Sequence, residues 1–237
     1  MSLTAKTILI TGAAGGLGAA LAMQCAGEGA ILVLLDKNRR QLSVLSDKIT
    51  QQGFAAPGLY PLDLAGAGID EFNTLVGVIQ AEHGDLYALV HCALEFEGLQ
   101  PLDQIEPQLW LKSMQVNINA PWLLSCTCLP LLKKAGGGRL FFMLDDPARV
   151  SGAYWGPYGT TKVALTGLVK QFDETLSNTP VVVRGINPGP MRTGFRAKVF
   201  HAENPMTQPE PAVAAKKILA MLVADTASQE VFVDLSN

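Results

Sequence analysis

The sequence predicts an α/β fold in which one parallel β-sheet is covered by helices on both faces. Short, nearly continuous apolar runs recur along the chain, and segments with the apolar spacing of a helix separate them. Strands that are buried on both faces of a parallel sheet have this unbroken apolar character. No linker rich in Pro, Gly or Ser and no run of charge divides the 237 residues, so we expect one domain over residues 1–237.

Seven strands and six helices follow from this alternation. The strands are predicted at 6–11, 31–35, 58–63, 86–91, 139–144, 181–186 and 230–234, and the helices at 16–28, 41–51, 69–82, 107–134, 157–177 and 209–223. Pro107 suits the first turn of the fourth helix, Pro121 is expected to kink it, and the glycines at 136–138 end it. The stretch 189–208 has several prolines among polar residues and is predicted to be a long irregular loop.

The composition excludes several classes of function. Apolar residues make up 49% of the chain and charged residues 16%, which provides a large core and leaves apolar surface that an oligomer interface could cover. A net charge of −3 argues against binding to nucleic acid or to an anionic membrane. No apolar run is long enough to span a bilayer and the first residues lead directly into a strand, so we expect a cytoplasmic protein with no membrane segment.

The cysteines and histidines do not suggest a metal site. Cys25, Cys92, Cys126 and Cys128 all fall in segments that are predicted to be buried helix or strand. Cys126 and Cys128 are two residues apart on a predicted helix and therefore point to different faces. We expect four reduced core thiols and no bound metal.

A glycine-rich turn at 11–18 follows the first predicted strand and opens the first predicted helix. Glycine lets the backbone turn sharply and approach a pyrophosphate, and the amino end of a helix offers free N–H groups and a positive dipole. This context favours a dinucleotide-binding Rossmann fold over a tight turn with no ligand. The predicted cofactor-binding residues here are Gly12, Gly15, Gly16, Leu17 and Gly18.

Asp36 ends the second predicted strand, where an acidic side chain can accept hydrogen bonds from the ribose hydroxyls of the adenosine. A carboxylate at this place repels a 2′-phosphate, so NAD is favoured over NADP as the cofactor. Lys37, Arg39 and Arg40 follow directly and could reach a phosphate instead, which leaves NADP possible. A charge cluster at the start of a helix is more often a solvated face.

Tyr158 and Lys162 are four residues apart on a predicted helix and therefore share a face. A free phenol has a pKa of about 10 and is a poor base at neutral pH unless a cation stabilises its anion. Lys162 supplies such a cation, so the pair predicts proton transfer at the oxygen of a carbonyl or an alcohol. The alternative is an ordinary aromatic residue on a helix face.

These motifs together closely resemble those of the short-chain dehydrogenase/reductase family, over nearly the whole chain. The family pattern Thr-Gly-x-x-x-Gly-x-Gly matches 11–18, Tyr-x-x-x-Lys matches 158–162, and Asn-Pro-Gly matches 187–189. Asn117 on the fourth helix and the pair Asp63 and Leu64 are further matches. The resemblance implies an NAD(P)-dependent oxidoreductase with a doubly wound, seven-stranded Rossmann fold, which transfers a hydride between the nicotinamide and a carbonyl or alcohol substrate.

The resemblance also implies roles for particular residues. Tyr158 would donate or accept the proton, Lys162 would bind the ribose and lower the pKa of the tyrosine, and Asn117 would help to hold a water molecule of a proton relay. Segment 189–208 would be a substrate lid, and the helices at 107–134 and 157–177 would form the interface of a homodimer or homotetramer. Further residues would bind the cofactor: Asp63, Leu64, Cys92, Ala93, Pro188, Gly189, Met191 and Thr193.

Two positions depart from the family pattern. Leu94 replaces a glycine after the fourth strand, and Asp145 stands thirteen residues before Tyr158, where the family has its catalytic serine. A serine hydroxyl can donate a hydrogen bond to a substrate oxygen, whereas an ionised carboxylate can only accept one. Two unit charges about 4 Å apart interact by roughly 4 kcal/mol at an effective dielectric constant near 20, so an ionised Asp145 would oppose the effect of Lys162 on the phenol.

Two hypotheses follow from Asp145. In the first, the protein is an active oxidoreductase in which burial and the neighbouring Asp146 keep Asp145 neutral, so that Asp145 is a catalytic residue that donates a hydrogen bond to the substrate. In the second, the protein binds the dinucleotide with little or no turnover and acts as a sensor or as a partner in an assembly. The presence of Tyr158, Lys162 and Asn117 favours the enzyme.

Overall fold

Seven parallel strands form one sheet within residues 2–224 and 230–236, which are the residues that the computed structural model describes. In chain order they are β1 (Thr7–Thr11), β2 (Ile31–Asp36), β3 (Gly58–Pro61), β4 (Ala88–His91), β5 (Arg139–Met143), β6 (Val182–Asn187) and β7 (Phe232–Asp234). Their order across the sheet is β3-β2-β1-β4-β5-β6-β7, and each neighbouring pair runs parallel. The predicted doubly wound Rossmann fold is therefore confirmed.

Helices connect the strands and cover both faces of the sheet. They are α1 (Gly16–Gly27), α2 (Arg39–Gln51), α3 (Ile69–His83), α4 (Pro107–Met114), α5 (Ala120–Lys134), α6 (Pro147–Val150), α7 (Gly156–Leu176), α8 (Gly194–Val199) and α9 (Pro211–Val223). Short 3-10 turns occur at Leu102–Gln104 and Pro205–Thr207. No helix in the described part of the chain combines the length and the apolar character needed to cross a bilayer.

Alternate residues of the strands pack against opposite layers of helices. Ile8 and Ile10 of β1 belong to a buried cluster with residues of α1, α2 and α9, whereas Leu9 belongs to a second cluster with residues of α3, α5 and α7. All five residues of β1 are buried. Because the strand is packed from both sides, its carboxyl end has a well-defined position from which the following turn starts.

The helix predicted at 107–134 is interrupted by a π-helical turn, Gln115–Asn119. At the end of this turn, Ala120 donates its N–H to the carbonyl group five residues back. Pro121 lacks the N–H that would bond to the Asn117 carbonyl in an α-helix, which accounts for a change of hydrogen-bond register here. The prediction of one continuous helix was wrong, because the hydrogen-bond register changes just before Pro121; a kink at Pro121 stays a prediction.

Segment 189–208 is more regular than the predicted loop, since it contains α8 and the 3-10 turn Pro205–Thr207. Thr193 caps α8 by accepting a hydrogen bond from the N–H of Arg196 at 3.2 Å. The guanidinium of Arg196 binds the carboxylate of Glu203 through two contacts of 2.5 and 2.7 Å. A cap and an ion pair thus hold a segment whose prolines predicted irregular structure.

The four cysteines are free thiols, and they differ in burial. Cys25 and Cys128 are buried and Cys92 is half-buried, but Cys126 is exposed. The prediction that all four lie in the core was wrong for Cys126. Residues two apart on a helix point in nearly opposite directions, so the burial of Cys128 turns Cys126 towards solvent.

Candidate active site

A cleft with a volume of about 680 Å³ lies at the carboxyl ends of the central strands. The strand order changes direction between β1 and β4, and in open α/β sheets ligands bind in the crevice beside such a reversal. All of the predicted site residues except Asn117 line this cleft. They are Gly12, Gly15, Gly16, Leu17, Gly18, Asp36, Asp63, Leu64, Cys92, Ala93, Asp145, Tyr158, Lys162, Pro188, Gly189, Met191 and Thr193.

The glycine turn between β1 and α1 forms one wall of the cleft. Gly12 has a φ of +62°, and a Cβ atom there would lie 2.6 Å from the backbone nitrogen of Ala93, so the turn packs directly against the end of β4. α1 begins after Gly15 with no side-chain cap and no acidic residue in its first turn. Its N–H groups and the positive end of its dipole therefore fit an anion such as a pyrophosphate.

The carboxylate of Asp36 is anchored at the end of β2. Its two oxygens accept the backbone N–H groups of Ala14 at 3.0 Å and of Asn38 at 2.9 Å. The adjacent Lys37 extends to Glu95, where Nζ lies 3.1 Å from Oε2. Asp36 thus presents a fixed negative charge to the cleft, and the ammonium group of Lys37 is engaged with another carboxylate.

Asn117 lies behind the cleft and holds the segment that follows β4. Its Oδ1 accepts the Glu95 N–H at 2.7 Å, and its Nδ2 donates to the Glu95 carbonyl at 3.0 Å and to Ser113 Oγ at 2.9 Å. The buried Glu95 side chain also pairs with Lys112 at 3.3 Å. The amide of Asn117 is therefore fully used in fixing this segment.

Tyr158 and Asp145 contact each other in the cleft. Tyr158 Oη donates to Asp145 Oδ2 at 2.7 Å, and the other carboxylate oxygen accepts a hydrogen bond from Arg149 Nη2. Burial and the charge of Asp145 raise the pKa of Tyr158 well above its usual value. Each oxygen of the Asp145 carboxylate therefore has a side-chain donor, Tyr158 on one and Arg149 on the other.

Lys162 is buried below the phenol of Tyr158. Its Nζ lies 5.6 Å from the centroid of the Tyr158 ring and donates to the Met143 carbonyl at 2.6 Å. Burial lowers the pKa of Lys162 from 10.5 to about 8. The predicted pairing of a tyrosine and a lysine on one helix face is thus present, and the lysine is bound to the end of β5.

Aromatic side chains surround the phenol and form an apolar wall beside it. The ring centroid of Tyr158 lies 5.5 Å from that of Phe96, 5.8 Å from that of Trp155 and 5.0 Å from that of Phe195. These three residues line the same cleft and come from three separate segments of the chain. The cleft is therefore lined by apolar side chains next to Tyr158.

Several residues of the cleft were not among those predicted from the sequence. Arg149 and Glu95 bind charged partners there, and the aromatic wall encloses Tyr158. The sequence spacing could have identified Arg149 as a partner of Asp145, because it stands four residues after Asp145 and residues at this spacing can meet on a helical turn. Leu94, where a glycine was expected from the resemblance, lines the cleft and is 38% exposed.

Comparison with known proteins identifies a family with these motifs. The model of the family described as short chain dehydrogenase matches residues 6–204 of the chain. The oxidoreductase YciK of Escherichia coli K12, itself uncharacterised, is 32% identical over 207 residues, which cover 87% of this chain and 82% of YciK.

Two solved structures share the fold along the whole chain. One, from Shigella flexneri 2a strain 301, is described as a short chain dehydrogenase complexed with NADP; it is 30% identical, has a TM-score of 0.94, and the match covers 99% of this chain and 98% of that one. The other, from Escherichia coli CFT073, is complexed with NADPH and has the same identity, TM-score and coverage of both chains.

Proposed function

Because this chain belongs to the short-chain dehydrogenase family of oxidoreductases, we propose that it interconverts a carbonyl compound and an alcohol with a nicotinamide dinucleotide. When bound, the nicotinamide supplies or accepts a hydride. The observation that carries the proposal is the meeting of Tyr158 and Lys162 with the uncapped amino end of α1 in one cleft.

Tyr158 is the proposed proton donor and acceptor. Because its pKa is raised by burial and by Asp145, the phenol is protonated at neutral pH and ready to donate to a carbonyl oxygen. The hydrogen bond to Asp145 must then be exchanged for one to the substrate. This state of the tyrosine favours carbonyl reduction over alcohol oxidation near neutral pH.

Lys162 and Asn117 are proposed to support that proton transfer. The charged Lys162, held by the Met143 carbonyl, would bind the ribose of the cofactor and stabilise the phenolate after the proton has left. The backbone carbonyl of Asn117 receives no α-helical hydrogen bond, because Pro121 has no N–H group. Such a carbonyl would accept a hydrogen bond from the water molecule of a proton relay. The amide side chain, by contrast, is occupied by Glu95 and Ser113.

The choice between NAD and NADP depends on the residues at the end of β2. The ligands of the two solved relatives favour NADP, and each of these proteins shares 30% of its aligned residues with this chain. In this chain the fixed carboxylate of Asp36 would repel a 2′-phosphate and accept the ribose hydroxyls. Lys37 is paired with Glu95. We therefore propose that this chain differs from those relatives and prefers NAD.

Asp36→Asn is expected to shift cofactor preference towards NADPH by at least about tenfold, or about 1.4 kcal/mol, because it removes the charge that repels the 2′-phosphate. The shift is measured as the ratio of the two Kd values, for NADH and for NADPH, by calorimetric titration. Asp47→Asn, which neutralises an exposed residue of α2, should leave the ratio unchanged. Tighter binding of NADPH than of NADH to the wild-type protein would overturn the preference for NAD.

Binding of the dinucleotide is expected to weaken as the pH rises through about 8, since Lys162 loses its charge there in the free protein. One linked proton gives at most about a tenfold rise in Kd per pH unit above that point. Lys162→Arg, which stays charged, should have a nearly constant Kd over the same range. A constant Kd for the wild-type protein would contradict a role of the Lys162 charge in binding.

Turnover is the test of the proposed reaction. With a panel of aldehydes and ketones that carry apolar groups, the wild-type protein is expected to oxidise the reduced dinucleotide with at least one of them, which is followed by the loss of nicotinamide absorbance. Tight binding of both dinucleotides without turnover on the panel would favour the sensor or assembly partner. The family membership and the oxidoreductase relative do not support that alternative.

The proposal includes a homodimer or homotetramer. Leu111 of α4, Trp122 of α5 and Val163 of α7 are 66%, 49% and 44% exposed, and an interface of these helices would cover them. The mass measured by light scattering tests this point, and a monomer at micromolar concentration would contradict it.

A further inference from the structure

Asp145, at the position of the serine expected from the resemblance, accepts hydrogen bonds from three donors. A carbonyl oxygen gains negative charge as it is reduced, and hydrogen-bond donors must stabilise it. Asp145 accepts from Tyr158 at 2.7 Å, from the N–H of Asp146 at 2.7 Å and from Arg149. A carboxylate that accepts three hydrogen bonds beside a guanidinium cannot take the donor role of a serine.

Arg149 has more N–H groups than its contact with Asp145 uses. A guanidinium carries five N–H groups, and Asp145 accepts one of them from Arg149 Nη2. Within residues 2–224 and 230–236, the buried Nε of Arg149 has no hydrogen-bond partner. The side chain is 34% exposed and lines the cleft together with Tyr158, so a ligand can reach part of it.

The position of the guanidinium is defined from two sides. Its central carbon lies 5.6 Å from the centroid of the Trp155 ring, and Asp146 caps the short helix α6 by accepting the Ala148 N–H at 2.9 Å. Arg149 Nη2 and Tyr158 Oη bind the two different oxygens of one carboxylate. The two donor groups are therefore both directed at the carboxylate of Asp145, and both residues line the cleft.

We propose that Arg149 is a catalytic residue that donates a hydrogen bond to the substrate oxygen, in place of the absent serine, and that Asp145 is the positioning residue that holds it. This inference rests on the proposed function. The carbonyl carbon would gain a C–H bond from the hydride that the reduced dinucleotide supplies, and the electron pair of the C=O π bond would move to the oxygen. The O–H bond of the product alcohol forms as the O–H bond of Tyr158 breaks, and the phenolate regains its proton from solvent. Arg149 stabilises the charged oxygen electrostatically through its hydrogen bond.

Turnover of paired variants tests the role of Arg149. Arg149→Gln is expected to lower kcat/KM by about 10²–10³-fold and to leave the Kd of the reduced dinucleotide within about twofold. In an Asp145→Ser background the new hydroxyl can donate, so the same change should cost less than about tenfold. Lys170→Gln, which removes an exposed charge from α7, is the control and should have no effect. An equal loss in both backgrounds, or no loss in either, overturns the proposal.

A binding measurement separates this inference from the proposed function. Isobutyrate, whose carboxylate imitates a small alkoxide, is titrated calorimetrically into the protein saturated with oxidised dinucleotide. Arg149→Gln is expected to raise the Kd of isobutyrate at least about tenfold, whether or not the wild-type protein turns over. An unchanged Kd overturns the role of Arg149. Absence of wild-type turnover together with a raised Kd would refute the proposed reaction, and with it a catalytic role of Arg149, and would leave only its binding of a ligand oxygen.

Discussion

Tyr158→Phe is expected to lower kcat by about 10²–10⁴-fold, the range over which a positioned acid or base contributes, and to leave the Kd of the dinucleotide within about twofold. The change removes only the phenolic oxygen, which donates to Asp145 in the free protein. The phenyl ring can still pack against Phe96, Trp155 and Phe195, so the shape of the cleft is preserved. Steady-state kinetics and calorimetric titration of the dinucleotide measure the two quantities.

Tyr87→Phe is the matched control for this change. Tyr87 is buried and its hydroxyl donates to the Leu222 carbonyl at 2.7 Å, away from the cleft. Both variants lose one buried hydrogen bond. Tyr87→Phe is expected to lower the free energy of unfolding by about 0.5–1.5 kcal/mol, and Tyr158→Phe, which loses a bond to a carboxylate, by about 1.5–3 kcal/mol. Only Tyr158→Phe should lose activity. If it kept more than about a tenth of the wild-type kcat, the proton would have to come from another group.

The fold could be predicted from the sequence because each strand at the centre of the sheet is buried on both faces. The residues of β1 are all apolar or small enough to be enclosed. Such a run can be recognised in the sequence without knowing which distant residues it contacts in the fold. The interruption of the fourth helix was harder to predict. Pro121 indicated an irregularity, but the length and type of the π-helical turn before it depend on the packing of that turn against its neighbours.

The cleft shows which part of a site a local pattern can reveal. The glycine turn and the pair Tyr158 and Lys162 have fixed spacings, so the sequence alone is enough to identify them. The partner of Asp145 could not be identified in this way, although Arg149 lies only four residues away. The connection after β5 folds into α6 and brings the guanidinium back to the carboxylate. The aromatic wall depends on three distant segments, and no sequence spacing connects them.

Gly18→Ala is expected to weaken dinucleotide binding at least about tenfold, or about 1.4 kcal/mol, and to lower the free energy of unfolding by about 1–3 kcal/mol. A Cβ atom at Gly18 would lie 2.3 Å from the Gly12 carbonyl oxygen and 2.9 Å from its carbon. Both are backbone atoms that cannot rotate away, so the turn between β1 and α1 must open. The N–H groups at the start of α1 would then lose the close approach that a pyrophosphate requires.

Gly77→Ala separates this effect from a general cost of replacing glycine. Gly77 lies in the middle of α3 at an exposed position, where a Cβ atom would meet nothing within 4 Å, and alanine there should stabilise the helix by about 0.5–1 kcal/mol. Urea unfolding measures both free energies, and calorimetric titration measures both Kd values. If Gly18→Ala bound the dinucleotide with the Kd of the wild-type protein, binding would not depend on the close contact between Gly18 and Gly12. If Gly18→Ala lost binding while its free energy of unfolding stayed unchanged, the turn without ligand would have accommodated the methyl group. The methyl group would then hinder only the binding of the dinucleotide.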